Sequence, residues 1–587
     1  MIVLAMAMHY YALPKRSMTE VKTVDGKPFQ TIMPSMIGHR KIGGKSFIYS
    51  FQMNYDNWPL QQTGFQIIPN GCVRKILVNG KEFPFRGGRG CNPATFSHWN
   101  PYVGPIYLDL APLLKSGPNN VMVLSDKAEF NMGPVIIYNN LSLAKWLGLT
   151  MALVCSIALF RIMEIFTRGK ISGYIVVVGF LVHLHRFTHH GMMERAMDIP
   201  GHLSFITFIA TNLRWPNPYG GWSYYHPPLY YTIEAFIMRY ANWLGTFDPM
   251  TLMQTFSFAC FMVFLVFSAL SLHQLIRNRI AYAVSLALLV FYPSGILFSA
   301  HIDSHLLFYA CYAACLYCIL RWLDDSRHLY FGIALILTGM GIASRSNALI
   351  LLPLVGLAFL YNAGRGSVSM AMLRSNIIRI GIMLLVLGFA MNFGRILYYQ
   401  ITELRHEPWL VGNILRLSGG LRLSNDNLFA TLIPNIPHYI THPLWSVWSD
   451  VDGRQHFWNS MLKSSLTGEY IWDRLRIALN MGNLLLAMIV FIIDAYILHR
   501  ATLRERKEWA ICMFGLLIPI AALFANRWFY PYGCSEDFRY IYPAIASFCG
   551  LMGLTLEAHM KDWRPFRSAV GITLGVAFAW HAIRFYT

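Results

Sequence analysis

The residues best suited to chemistry stand at the borders of apolar runs. Asp198 opens the stretch DIPGHLSFITFIATNLRWPNPYGGWSYYHPPLYY, which closes at Tyr231. His202, Trp215, Tyr219, Trp222, Tyr224, Tyr225 and His226 lie within it, among prolines and glycines. Read as a long aqueous loop at the end of a membrane helix, it suits a polar, ring-shaped ligand such as a sugar. Three other charged spots should reach the same level. SAHIDSH carries His301, Asp303 and His305, ASRSN carries Arg345, and CSEDFRYIYP carries Glu536, Asp537 and Arg539. Taken singly, each has a plainer reading: Asp198 as a helix cap, His226 as a structural histidine, the rest as interfacial anchors. Several charges at one depth on one side of a membrane point instead to a site.

The elements that must position these residues are hydrophobic. Of 587 residues, 55% are hydrophobic and 13% charged, and the mean hydropathy of +0.41 is too high for a soluble enzyme of this length. Many runs approach the roughly 20 residues a spanning helix needs. The formal charge of +19 reads as positive cytoplasmic loops, not as a nucleic-acid surface. The ten cysteines show no CxxC spacing. Cys311, Cys315 and Cys318 fall in an apolar run and read as core, while Cys72 and Cys91 share a soluble region and could pair in an oxidising compartment.

Three parts follow from the composition. Residues 1–13 are an apolar stub, too short to span and without signal-peptide features. Residues 14–139 read as an all-β sandwich. Asn79-Gly80 between apolar segments signals a type I′ hairpin, and IYLDL, NVMVL and VIIYN follow between turn residues. GHRKIGGKS in this region is one residue too long for a phosphate-binding P-loop and follows no buried strand. Residues 140–587 are polytopic, with spans near 141–166, 171–187, 250–273, 280–298, 305–322, 329–343, 347–362, 376–397, 479–499, 508–526, 540–557 and 568–585.

Basic pairs between these spans set an orientation. Arg168 and Lys170, Arg277 and Arg279, Arg321 and Arg327, Arg365 and Arg374, residues 504–507, and Lys561 with Arg564 and Arg567 all fall on the cytoplasmic side if the helices alternate. The β domain and the loops 188–249, 398–478 and 527–539 then face away from the cytoplasm. The segment 226–245, with Glu234 and Arg239, must lie along the surface and not cross. Trp409, Trp445, Trp448, Trp458 and Trp472 place parts of 398–478 at headgroup level.

An Asp after an early spanning helix, followed by a loop ending HPPLYY, resembles the GT-C superfamily of glycosyltransferases, the clan of protein O-mannosyltransferases and lipid A aminoarabinose transferases. GIASRSNALILLP (341–353) and EDFRYIYP (536–543) are similar to later motifs of that clan, so the likeness covers roughly 171–560. The usual Asp-Glu pair is here Asp198-Ile199, and a β domain similar to jelly-roll, galactose-binding-like modules comes first. The resemblance implies a GT-C fold of about 12–13 spanning helices in the inner (plasma) membrane. It implies a polyprenyl-phosphate-linked sugar as donor, a glycan, lipid or protein as acceptor, and inverting transfer on the outer, periplasmic face. Asp198 would be the base, with Arg345 or Arg539 compensating the leaving phosphate. His202, Trp222, Tyr225, His226, Asp303, Arg345, Glu536, Asp537 and Arg539 would bind substrate.

Metal is left open, since some members of the clan use a divalent cation and some do not. His185 with His189, and His190 with Glu194, have helical spacing, yet a zinc site needs a third converging ligand. Two other classes fit the hydropathy: a transporter or flippase of a lipid-linked substrate, and a non-catalytic sugar-binding membrane protein. The first calls for polar residues and broken helices at the midplane and for two related halves, whereas the charges here sit at helix ends. Both would keep their activity without Asp198.

Overall fold

The computed structural model describes residues 16–23, 28–29, 47–55, 64–68, 73–83, 106–125, 135–139, 141–167, 169–188, 199–221, 223–244, 249–403, 423, 432–442, 450, 452–467, 503–529, 531–532 and 536–562. The expected spans 479–499 and 568–585, residues 1–13, Cys72, Cys91 and the tryptophans of 398–478 other than Trp458 lie outside the described residues.

The N-terminal region forms strands β1 (Arg16–Thr23), β2 (Pro28–Phe29), β3 (Phe47–Tyr55), β4 (Gly64–Ile68), β5 (Val73–Val78), β6 (Lys81–Glu82), β7 (Ile106–Asp109), β8 (Gly117–Ser125) and β9 (Val135–Asn139). They make two antiparallel sheets, one in the order β2-β1-β3-β8-β5-β6 and one in the order β7-β4-β9. Asn79 and Gly80 both take positive φ, 52° and 79°, and pair Val78 with Lys81, the two-residue hairpin their types predict. The Asn79 amide locks this turn to β8 by donating to Asn119 Oδ1 at 2.7 Å and accepting from the Asn120 N–H at 2.9 Å. Ile76, Val78, Val121 and Val123 are buried at alternate positions, so this sheet has one core face.

The helices follow: α1 (Leu141–Thr167), α2 (Lys170–Thr188), α3 (Ile199–Asn212), α4 (Leu229–Leu244), α5 (Pro249–Leu275), α6 (Arg279–Val290), α7 (Pro293–Phe298), α8 (Ser304–Asp325) and α9 (His328–Ser344). Beyond them come α10 (Leu351–Gly364), α11 (Met370–Leu373), α12 (Asn376–Phe389), α13 (Arg395–Thr402), α14 (Ile436–Thr441), α15 (Phe457–Thr467), α16 (Leu503–Phe529) and α17 (Ala544–Asp562). Among the described residues seven helical stretches are long and apolar enough to cross a membrane, and Arg279–Val290, His328–Ser344 and Ala544–Ala558 are shorter apolar helices. The chain is a helical membrane protein. α1 and α2 present Leu153, Ile157, Ile165, Phe166, Tyr174 and Val178 outward, an apolar surface that only lipid or a partner can cover. α8 is apolar and buried on nearly every side, the mark of a central helix.

In lipid, helices associate through close packing, not hydrophobic collapse. α9 and α12 meet through glycines. A Cβ on Gly339 would lie 2.5 Å from the Leu384 carbonyl oxygen, and one on Gly381 would lie 2.9 Å from that of Gly332. A Cβ on Gly388 would collide with the Gly339 carbonyl.

Two expectations are corrected. The span 280–298 is broken at Tyr292-Pro293 into α6 and α7, because proline cannot donate to the helix ladder. His183 of α2 steadies the break: its Nε2 donates to the Val290 carbonyl at 3.0 Å, and its Nδ1 lies 2.9 Å from Ser299 Oγ. The stretch after Asp198 is not one long loop. Residues 199–212 are α3, whose Leu203, Phe205 and Ile206 are fully buried, and among the described residues from there to α4 only 213–221 and 223–228 are irregular. Helix 229–244 is amphipathic in an unusual sense. Its inner face holds the buried Glu234, bonded from Ser257 Oγ at 3.2 Å, while Phe236, Tyr240 and Trp243 point outward.

Candidate functional site

Asp303 and Arg345 mark one end of the bundle. Asp303 is the N-cap of α8, and its carboxylate accepts from the His305 N–H at 3.1 Å. α8 stops at Ser326, whose left-handed φ of 53° turns the chain back into α9. α9 then returns to end at Arg345. Arg345 Nη1 donates to Ser304 Oγ at 2.9 Å, and Ser344 Oγ donates to the Ser304 carbonyl at 3.2 Å. The start of α8 and the end of α9 are thereby tied.

Three other segments converge there. α3 brings His202, whose Nε2 lies 3.8 Å from Asp303 Oδ1 and whose Nδ1 is 2.8 Å from the Tyr231 hydroxyl. The loop before α4 brings His226, its ring centroid 6.1 Å from that of His202 and 6.3 Å from that of Tyr231, which are 5.8 Å from each other, with Tyr225 against it at 4.1 Å. The turn before α17 brings Arg539. Its backbone N–H is held by Asp537 Oδ1 at 2.7 Å, its guanidinium lies over Tyr540, and its carbonyl accepts from the Tyr309 hydroxyl. His305 completes the group, packed on Tyr540 and Tyr309, and both its ring nitrogens are buried without a hydrogen-bond partner among the described residues.

The charges act on one another. Burial works against ionising Asp303, but His305, His202, Arg345 and Arg539 outweigh it and hold the carboxyl well below the usual range. Burial likewise works against Arg345, and Asp303 offsets it, so the guanidinium stays charged. Burial, with Arg345 and His202 alongside, pushes His226 well below the ordinary histidine range, so the ring is neutral at pH 7. The result is a buried carboxylate, two guanidinium groups and, at His226, a neutral imidazole. Such a set binds an anion and can hold a proton acceptor beside it.

The sequence-derived candidates divide. His202, Tyr225, His226, Asp303, Arg345 and Arg539 come together, with Asp537 fixing Arg539. Glu536 takes a partner of its own: it is buried in an ion pair with Arg527 Nη1 at 2.5 Å, and burial, opposed by Arg527, pushes its carboxyl up to about 7. Asp198 and Trp222 lie outside the described residues, as do His189, His190 and Glu194. Among the described residues no three His, Cys, Asp or Glu side chains are grouped to hold a metal ion. No protein-family model and no curated protein matches the chain.

Sequence reasoning named His305 within SAHIDSH without giving it a part in substrate binding, and passed over Arg395, which stands near the end of an apolar run and reads as a border residue. A second polar group was also missed. Asp450 accepts from Lys463 Nζ at 3.0 Å, from the Gly453 N–H at 2.7 Å and from His438 Nε2 at 2.9 Å. It ties α14, α15 and the turn between them, and α15 in turn holds the Arg539 segment through Ser464 Oγ, which accepts from the Phe538 N–H at 2.9 Å.

Proposed function

We propose that this chain is a GT-C-type glycosyltransferase that moves a sugar from a polyprenyl phosphate to an acceptor hydroxyl at the outer face of the inner membrane. The observation that carries the reading is the buried set Arg345, Arg539 and Asp303 at one end of a bundle whose flanks are apolar. A donor with a lipid tail and a charged phosphate needs that combination of surfaces. The acceptor is a cell-envelope glycan, lipid or protein, and the N-terminal sheets are read as a jelly-roll-like module.

In this mechanism Asp198, which immediately precedes α3 in sequence, takes the proton of the acceptor hydroxyl. The hydroxyl oxygen forms a bond to the anomeric carbon from the face opposite the phosphate. The anomeric carbon–oxygen bond to phosphate breaks, and polyprenyl phosphate leaves with the electron pair. Arg345 and Arg539 stabilise the charge gathering on it. His202, His226 and Tyr225 line the sugar side, and one displacement inverts the anomeric centre.

The test is Asp198→Asn in the purified full-length chain, with transfer followed by mass spectrometry of envelope glycans supplied as acceptors. Transfer should vanish while the unfolding midpoint stays put. Undiminished transfer would end the assignment of the base. A flippase or a pure sugar binder would keep its activity in this variant.

A further inference from the structure

α12 does not run straight into α13. Between them Ala390–Gly394 forms a π-helical turn. Such turns insert a residue into the helix ladder and re-aim the side chains beside them. Two polar residues are aimed inward here. Asn392 is fully buried, and its Oδ1 accepts from Ser346 Oγ at 3.2 Å, next to Arg345. Arg395 is buried and reaches the opposite side of the site. Its Nη2 donates to the carbonyls of Tyr224 at 2.6 Å and His226 at 2.7 Å, and its Nη1 donates to that of Pro216 at 3.3 Å. The guanidinium also lies 5.5 Å from the Phe205 ring of α3.

We infer that Arg395 is the positioning residue of the site: it clamps the 216–226 loop and thereby sets the place of His226. The loop's own backbone bonds, from Gly220 to Asn217, Tyr224 to Gly221 and His226 to Ser223, do not use the carbonyls of Pro216, Tyr224 and His226, and buried carbonyls without donors are costly. Among the described residues no carboxylate pairs with Arg395, so these three carbonyls are its principal partners. A planar fork sets two nitrogens against these carbonyls, Nη2 on Tyr224 and His226 and Nη1 on Pro216, whereas an ammonium gathers its three donors on a single nitrogen. The glycine contacts between α9 and α12 keep the π turn in register with the end of α9. One turn therefore fixes the spacing between the Arg345 side and the His226 side. That His226 serves sugar transfer rests on the function proposed above, while the clamp itself does not.

The experiment uses the full-length protein in detergent and the variant Arg395→Lys, which keeps the charge. The exposed Arg214 sits on the same loop, so trypsin cleavage after Arg214 reports loop release. Cleavage there should speed up roughly tenfold or more, with other cuts unchanged. An unchanged rate at Arg214 overturns the clamp. In sugar transfer, Arg395→Lys and His226→Ala should be non-additive, the double variant falling within about threefold of the worse single one. Fully additive losses overturn the claim that Arg395 acts through His226. If Arg395→Lys does not accumulate, Arg395→Gln, which keeps two N–H donors, is read in the same way. Should the natural chain transfer no sugar, the transferase reading falls, and the Arg214 cleavage rate still decides the clamp.

Discussion

His202 Nε2 lies 3.8 Å from Asp303 Oδ1, and both side chains are almost fully buried. A carboxylate in that position is tolerated because it caps α8, faces Arg345 and has imidazoles around it. Asp303 is thus a structural hub as well as part of the site.

Asp303→Ala should be one of the more damaging single changes in the chain. It removes an N-cap, about 1 kcal/mol, and strands a buried guanidinium, about 3–5 kcal/mol. Asp303→Asn keeps the cap acceptor and should lose visibly less. Thermal unfolding of the two variants in the same detergent checks the order. Equal midpoints would mean that the charge, and not the cap, carries everything.

The Asp450 group gives a pH dependence with a definite sign. Burial opposes ionisation of Asp450, but Lys463, the Gly453 N–H and His438 outweigh it and lower its pKa. Its contribution to stability is therefore complete above the unfolded value of about 4. It is lost as pH falls through the lower, folded value. Asp450→Asn should be less stable than the natural chain at pH 7, and the gap should narrow at about pH 3. Unfolding midpoints taken across that range decide it, and a gap that widens on acidification is the contrary result.

Much of this arrangement could be read before any coordinates. Asn79-Gly80 announces its hairpin because few other pairs accept two positive φ angles. Asp303, Arg345 and Arg539 stand out because charge inside apolar sequence demands a partner. Other features are hidden for physical reasons. Residues 199–212 are too short to span and carry Pro200-Gly201 in their first turn, so they read as loop, yet packing against α4 makes them helix. The π turn at 390–394 leaves no mark, since it needs neither proline nor glycine pairs and depends on what Asn392 and Arg395 meet. Arg395 finds its partners about 170 residues away, a separation no local pattern encodes. Glu536 and Arg539 are neighbours in sequence but turn to different partners, and only the fold tells them apart.

The glycine contact between α9 and α12 should be intolerant of size. Gly388→Leu forces a side chain into the Gly339 backbone, with an overpacking cost of about 1–3 kcal/mol or more. A control on the outer face of the same helix, Val386→Leu, should be silent because Val386 is exposed. The comparison is made by unfolding midpoint and by yield of folded protein after solubilisation. A silent Gly388→Leu would show that the two helices can part without loss.

Arg345 offers the sharpest test of the chemistry. Its guanidinium is buried, bonded to Ser304 and balanced by Asp303, so it is held in place before any ligand arrives. A preorganised cation of this kind contributes most where charge develops, on the departing phosphate. Arg345→Ala should then lower kcat by about 10²–10³-fold, with little change in the KM for the acceptor. Arg345→Lys keeps the charge but loses the planar fork, and should retain part of the rate, roughly a tenth. The reverse pattern, an intact kcat with a raised KM, would make Arg345 a ground-state binder and move the leaving-group role to Arg539. Applying the same pair of substitutions to Arg539, whose backbone is pinned by Asp537, separates the two guanidinium groups directly.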